Sequence, residues 1–386
     1  MHYNFPTIQN IDDVLPHIKG RDEFNVIYKD GYTVINYMVA FEETFQWDSS
    51  DPLGSAIRRE CRGLTFDENG KLLCRKYHKF FNVNEKEDTQ LNKINLYEPH
   101  VVLEKLDGSQ ISAQSTADGF VLVTKAGITD ISKQAEEFIA DKSNYSTFIL
   151  KCIQRNVTPL FEWCSLKNRI VVYYPEDQLI LTGMRYNDTG SYVQYNVMLQ
   201  YATAWNIPVV KAINGLAVQN INLFVKQVRE WDDGEGVVIR FDSGHMVKVK
   251  ADYYVLRHKT KESISQEKNV IRVIINNSVD DLLPLLTECD ASRLSKFEKA
   301  FWLSVEDVAT DIYDLYKSID KGQSQKDFAL YAVPSVLPQY QSFMFPLRAG
   351  KTIKELIMDK IHKSLSTQIK VNENRWLFGN LNWNEY

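Results

Sequence analysis

Apolar and polar positions along this chain keep two different rhythms, and the change falls near residue 262. Between about residues 100 and 260 the apolar residues come in short runs of strand length: VVLE before Lys105, Phe120–Thr124, Pro159–Cys164, Arg169–Tyr174, and the segments QLILTG, GVVIRF and MVKVK. Asp118-Gly119, Asp188-Thr189-Gly190 and Asp242-Ser243-Gly244 stand at turns between them, which favours antiparallel pairing over repeated βαβ units. One helical stretch, Ser132–Ile153, is expected to interrupt the strands. Residues 1–100 are mixed, with aromatic-rich segments at Phe24–Tyr28 and Tyr32–Tyr37 broken by Gly and Asp, and predict a small α+β start. Beyond 262, Leu294, Phe297, Phe301, Val305, Val308, Ile312, Leu315 and Ile319 recur at steps of three and four, an apolar stripe along one long helix ending near Gly322. A second helix is expected over Thr352–Leu365, with Pro334, Pro338 and Pro346 breaking any continuous helix between the two. The expected fold class is α+β: an antiparallel-sheet domain over residues 1–260, then an all-helical domain over 261–386.

Composition narrows the function classes. The chain has 386 residues, 44% of them hydrophobic, enough for a sizeable core, and no apolar window approaches the ~20 residues that span a bilayer. Its 45 Lys and Arg against 50 Asp and Glu give a net charge of -5, so nothing global advertises a polyanionic partner. Cys61, Cys74, Cys152, Cys164 and Cys289 form neither a CxxC pair nor a cluster at zinc spacing, and are expected to be reduced thiols. The first residues lack the basic flank and apolar stretch of a secretory signal, so a cytoplasmic location is expected.

Several motifs can be set aside. Ala349-Gly350-Lys351-Thr352 looks like the end of a P-loop, but Phe345 stands where its first glycine belongs; Gly234-Glu235-Gly236 lacks the third glycine of a dinucleotide fingerprint; and neither GxSxG nor HExxH occurs. Glu104-Lys105-Leu106-Asp107-Gly108-Ser109 places a lysine at the end of an apolar run and before a tight turn, where it projects either into a cleft or, as a hairpin lysine, into solvent. Lys248 and Lys250 alternate with Val247 and Val249, so both ammonium groups share one strand face. They repel unless an anion such as phosphate lies opposite, or the face is a solvated edge. Glu162, between Phe161 and Trp163, calls for either an ion pair with Arg169 or Lys167 or a ligand. Glu235, between two glycines, marks either a close approach to a ligand or an exposed turn.

Taken in order, ECRG at 60–63, HKFFNVNE at 78–85, KLDGS at 105–109, TKAG at 124–127, FEW at 161–163, GEGVV at 234–238 and VKVKADYYVLRH at 247–258 resemble the covalent nucleotidyltransferase superfamily of ligases and RNA capping enzymes. Within it they most resemble the phage-type ATP-dependent RNA ligases that repair cleaved tRNA. The likeness covers roughly residues 55–260, with Lys105, Glu162, Glu235 and Lys248 separated by 57, 73 and 13 residues. It implies an antiparallel adenylyltransferase domain in which Lys105 attacks the α-phosphorus of ATP to form lysyl-AMP. Lys248 and Lys250 would assist as catalytic cations by stabilising charge on the α-phosphate. Arg62 and Lys79 would hold the triphosphate, with Lys125 as a further site cation, Tyr254 as a nearby aromatic and Glu104 reading adenine. Asp107 would shape the turn and orient the nucleophile. Glu235 is the first candidate for contact with Mg²⁺ or Mn²⁺, and Glu162 for ribose hydroxyls or the metal.

The implied product is RNA sealed between a 5′-phosphate and a 3′-hydroxyl. The implied partner is single-stranded RNA or a nicked tRNA, with no membrane and the chain a monomer. DNA ligases and capping enzymes usually carry an OB-fold after the last lysine motif, whereas the 136 residues after Lys250 pattern as helices. A non-catalytic RNA-binding protein on this fold is the alternative from another class, and the intact Lys105, Glu162, Glu235, Lys248 and Lys250 speak against it.

Overall fold

The computed structural model describes residues 5–41 and 43–386. It divides into two compact units, Met1–Val255 and Leu256–Tyr386. Among the described residues no helix is long and apolar enough to cross a membrane.

Among its described residues the first unit carries three four-stranded sheets. Strands β1 (Phe24–Lys29), β2 (Tyr32–Tyr37), β3 (Arg62–Asp67) and β4 (Leu72–Cys74) form one meander in chain order. Next come β5 (Phe81–Asn82), β6 (His100–Glu104), β7 (Ser109–Thr116), β8 (Gly119–Val123), β9 (Val157–Cys164), β10 (Gln178–Tyr186), β11 (Gly236–Phe241) and β12 (Met246–Lys250). They make a second sheet in the order β10-β9-β7-β8 and a third in the order β5-β12-β11-β6. Every pairing is antiparallel except that of β5 with β12.

Period-two patterning decides what each sheet shows to its two sides. In the third sheet Val237, Ile239, Val247 and Val249 pack on Phe224, Val225 and Val228 of helix Ile221–Arg229. The opposite face carries Val238, Arg240, Met246 and Lys248 towards a cavity. In the second sheet Ile111, Phe161, Trp163, Leu179 and Leu181 face helices Asp130–Ile139, Ser143–Gln154 and Tyr195–Thr203. Gln110, Glu162 and Thr182, on the alternate positions, line the same cavity. The cavity is thus walled by the polar faces of two sheets whose apolar faces are each covered by helices.

The expected helix at Ser132–Ile153 is two helices, Asp130–Ile139 and Ser143–Gln154, with Ala140–Lys142 between them. The apolar run Arg169–Tyr174, expected as a strand, is a loop. Its Val171 and Val172 backbone N–H groups are taken by a side chain, Asp107 Oδ2, so they are lost to any sheet. Helices Tyr195–Thr203 and Ile221–Arg229 lie in a stretch that patterned mainly as strands.

One buried ion network joins the first and second sheets. Glu60, at the end of helix Pro52–Glu60, accepts from Arg185 Nη2 at 2.6 Å and from Arg75 Nε at 3.2 Å. Arg75 also donates to Pro6 O and Asn187 O, and Arg185 to Gly190 O, so neither guanidinium is left with only half its bonds. Burial alone would push the Glu60 carboxyl up, but Arg185 and Arg75 outweigh it and hold it below the usual carboxylate range.

In the second unit the long helix Glu288–Ile319 buries Leu294, Phe297, Phe301, Val305 and Ile312, the predicted stripe, with Val308, Leu315 and Ile319 partly covered at its side. Thr352 caps helix Ile353–Ser364, its hydroxyl accepting from Glu355 N while the Glu355 carboxylate accepts from Thr352 N. Pro338 opens helix Pro338–Arg348, and Pro346 sits inside its last turn without breaking it. Replacing Glu60 by Ala leaves two guanidinium groups buried without their carboxylate. We expect a loss of ~3–5 kcal/mol in unfolding free energy, measurable by urea titration. A loss below about 1 kcal/mol would show the network to be dispensable.

Candidate active site

Lys105 continues β6 by one residue, its backbone N–H donating to Gly236 O at 2.9 Å. The chain then turns through Asp107 and Gly108 into β7. A Cβ on Gly108 would lie 2.5 Å from Trp163 O and 3.1 Å from Glu162 Cγ, so only glycine lets this turn rest against β9. Gly236 has φ 135°, and a Cβ there would lie 2.1 Å from Val249 O. These two glycines bring the ends of β6, β11 and β12 and the edge of β9 to one place.

At that place Glu235, only 4% exposed, is shared by two lysines. Lys105 Nζ lies 2.6 Å from Oε2 and Lys250 Nζ 2.9 Å from Oε1. Lys250 also stands 5.1 Å from the Tyr254 ring centre. Lys248, one pleat away, faces the cavity over the Phe80 ring at 5.3 Å. Burial, with Lys105 and Lys79 beside it, pushes its ammonium down to about 7.

The cavity, about 310 Å³, is lined by Arg62, Lys79, Glu104, Lys105, Glu162 and Lys248 among others. Lys125 joins this group through Tyr37, whose ring has Lys79 Nζ and Lys125 Nζ each 5.0 Å from its centre. Burial would raise the Tyr37 phenol, but Lys79, Arg62 and Lys125 outweigh it and hold it below the ordinary value. Tyr37 was not among the residues singled out from the sequence. It ends an unremarkable strand, and its cations arrive from β3, the 76–82 segment and the turn after β8.

Glu162 faces Lys105, Glu235, Arg62 and Asp107; Arg169 packs over the Tyr173 ring at 5.4 Å and donates to Val171 O. Burial pushes the Glu162 carboxyl up to about 7, with Lys105 and Arg62 pulling it down and Glu235 and Asp107 adding to the rise. Glu104 is likewise raised by burial, against the pull of Lys211. Asp107 is fully satisfied: Oδ2 accepts from Val171 N and Val172 N, both at 2.7 Å, and Oδ1 from the Tyr254 hydroxyl at 2.6 Å. Its own N–H donates to the Tyr174 hydroxyl at 2.8 Å. The 169–174 loop and Tyr254 therefore lock the turn that carries Lys105. Of the site residues expected from the sequence, Arg62, Lys79, Glu104, Lys105, Glu162 and Lys248 line this cavity, Glu235 and Lys250 join them through the ion pairs with Lys105, Lys125 through Tyr37, and Asp107 and Tyr254 through the turn after Lys105. Among the described residues no three His, Cys, Asp or Glu side chains form a metal cluster.

A family model described as RNA ligase matches residues 60–254, and one for the C-terminal domain of T4 RNA ligase 1 matches 261–377. The chain belongs to the RNA ligase family. Among the relatives of this RNA ligase family member, a Thermovibrio ammonificans protein named "Putative RNA ligase" is 23% identical over 334 residues, covering 82% of this chain and 84% of that one. A protein of Autographa californica nuclear polyhedrosis virus, named "Putative bifunctional polynucleotide kinase/RNA ligase", is 25% identical over 287 residues, 68% of this chain and 39% of that one. Solved structures similar in part include a Naegleria gruberi RNA ligase mutant with AMP and Mn (TM-score 0.40, 16% identity, 48% of this chain and 58% of that one). An archaeal ATP-dependent RNA ligase has a TM-score of 0.44 and 11% identity, over 65% of this chain and 64% of that one.

The raised Glu162 carboxyl gives a signed pH effect. The folded ligase keeps this proton at pH values where the unfolded chain has lost it, so the group lowers stability as pH rises from the usual carboxyl range through about 7. Glu162→Gln removes the effect. We expect the variant to unfold ~2–3 kcal/mol later than wild type at about pH 8, with the gap closing near pH 5, in denaturant titrations at both values. A gap that does not change with pH would contradict the assignment.

Proposed function

We propose that this chain joins RNA ends with ATP through a covalent lysyl-AMP intermediate, with Lys105 as the nucleophile. The observation that carries the reading is the Lys105–Glu235–Lys250 arrangement at the mouth of a cavity that also holds Lys248, Lys79 and Arg62. Lys105 Nζ passes a proton to Glu235 Oε2 beside it, the freed amine forms the bond to the α-phosphorus, the bond from that phosphorus to the bridging oxygen breaks, and pyrophosphate leaves. Lys248 and Lys250 are fixed by their strand beside the reacting phosphate, where preorganised cations stabilise the charge that develops. Arg62, Lys79 and Lys125 suit the β- and γ-phosphates, the guanidinium with its fork of donors. Asp107 keeps the nucleophile's turn in place through the 169–174 loop. Glu104 and the apolar residues beside it would receive adenine.

Mg²⁺, which keeps waters and uses one or two carboxylates with substrate phosphates, suits a site that offers Glu162 and Glu235 and, among the described residues, no cluster of three ligands. A cation there would neutralise phosphate charge, and Glu162, its carboxyl pushed up to about 7 by burial beside Glu235 and Asp107, has the electrostatics such a cation relieves. Glu235 has both oxygens on lysines, so contact with a metal and release of Lys105 are linked. The second half of the reaction moves AMP to a 5′-phosphate RNA end, and a 3′-hydroxyl then displaces it. The resemblance of the lysine motifs to tRNA-repairing ligases makes tRNA cleaved in the anticodon loop the natural substrate of this proposal, with residues 261–377, which match the T4 RNA ligase 1 C-terminal domain, as the region to recognise it.

Incubation with α-labelled ATP and Mg²⁺ followed by denaturing electrophoresis tests the first step. Wild type is expected to retain label and Lys105→Ala to lose it, while Lys248→Ala and Lys250→Ala label at least ~100-fold more slowly, about 2.7 kcal/mol of barrier. An unlabelled wild type would overturn the reading, and label from GTP in preference to ATP would move it to capping chemistry. For the second half, 5′-phosphorylated RNA, DNA of the same sequence and a nicked tRNA are offered together. Joining of the RNA and tRNA is expected, and joining of DNA alone would contradict RNA ligation.

A further inference from the structure

Arg240 is a charge that the proposed chemistry leaves unexplained. It sits on β11, in register with Val101 and Met246, and is 4% exposed. Neither Nη1 nor Nη2 has a hydrogen-bond partner among the described residues. A buried guanidinium in this condition is costly, because it has given up water without gaining an acceptor or a carboxylate. The groups that face it are Tyr77, Tyr192, Asp242 and Tyr195. The three phenols are engaged elsewhere: Tyr77 donates to Thr182 Oγ1, Tyr192 accepts from His78 N, and Tyr195 donates to Val210 O. Of these four groups Asp242 is the carboxylate, and it stands at the surface.

Arg240 lines two cavities at once. One is the 310 Å³ cavity of Lys105, and the other, of about 570 Å³, lies at the far end of the same strands, between His100, Tyr192, Gln194 and the Asp242–Gly244 turn. Four residues of strand separate Arg240 from Gly236, roughly 13 Å, so this second cavity is too far from Lys105 to take part in the bond-making step. It holds a second unpartnered donor, the buried Ser243 Oγ. A guanidinium and a hydroxyl, both buried and both lacking acceptors, match an oxyanion with several acceptor oxygens.

We propose that this 570 Å³ cavity seats a phosphate group of the RNA strand, held by Arg240 and Ser243, at a distance from the reacting end. The phosphate chemistry follows from the unpartnered donors alone; RNA as its source rests on the ligase reading. The site accounts for a buried cation that weakens the empty protein: it is complemented only when the strand is present. Ser243 lies in the second cavity alone, so the seat fixes the position of the RNA away from the bond made at Lys105, with Arg240 on the wall that the two cavities share.

Thermal unfolding of the full chain tests the site, with sodium phosphate or a 5′-phosphorylated RNA 10-mer added and sodium chloride at matched ionic strength as the control. Wild type is expected to melt at least ~2 °C higher with either phosphate source than with chloride. Ser243→Asp, which places a carboxylate in the seat, is expected to weaken both ligands ~10-fold while Lys105 still takes label from ATP. Arg240→Met is expected to melt above wild type without ligand and to lose the same ligand shift. Undiminished shifts in Ser243→Asp, or an Arg240→Met protein that melts below wild type without ligand, would overturn the site. A shift with phosphate and none with RNA would overturn RNA as the source. Failure of wild type to take label from ATP would remove the ligase reading, and the thermal shifts would still decide whether the cavity binds phosphate.

Discussion

A single carboxylate organises this site. Glu235 is nearly sealed from solvent, and a buried carboxylate must be paired or give up its charge. Its pairing with Lys105 and Lys250 ties the end of β6 to the ends of β11 and β12, and Gly236 and Gly108 remove the side chains that would keep those backbones apart. Removing either ammonium leaves the carboxylate half-satisfied, and removing the carboxylate sets two lysines side by side. The geometry of Lys105 and the integrity of the sheet corner are therefore one constraint.

Around that corner the protein holds charges in states they would not choose in water. The Lys248 ammonium is pushed down to about 7 by burial among Lys105 and Lys79, and the Glu162 carboxyl is pushed up to about 7 by burial near Glu235 and Asp107. Both displacements cost stability at neutral pH, and both are relieved by a ligand that carries its own opposite charges, as a nucleotide with a divalent cation does. The chain's net charge of -5 hides this arrangement. Arg62, Lys79, Lys105, Lys125, Lys248 and Lys250 come from separate parts of the sequence to one cleft, while acidic residues elsewhere limit indiscriminate attraction to polyanions.

Strand alternation made much of this legible before folding. The shared face of Lys248 and Lys250 follows from VKVK, and the reversal of Glu162 against its aromatic neighbours follows from FEW, because both depend only on period two. The long C-terminal stripe was legible for the same reason at period 3.6, sustained over a helix of 32 residues. The run RIVVYY has the composition of a strand and was misread because its backbone donors go to Asp107, a partner 64 and 65 residues away. Tyr37 and Arg240 were missed because their significance lies in what surrounds them, three cations in one case and unmatched donors in the other. Neither surrounding is written in nearby sequence.

Two lysines in the cavity compete for the role of nucleophile on different grounds. Lys248 is partly deprotonated near neutral pH, whereas Lys105 has the position, at a strand end, on Glu235, with its turn locked by Asp107. Position favours Lys105. Mass-spectrometric mapping of the protein after incubation with ATP and Mg²⁺, digested and sequenced by fragmentation, measures this directly. One AMP adduct is expected, on Lys105; an adduct on Lys248, or none on either lysine, would contradict that role.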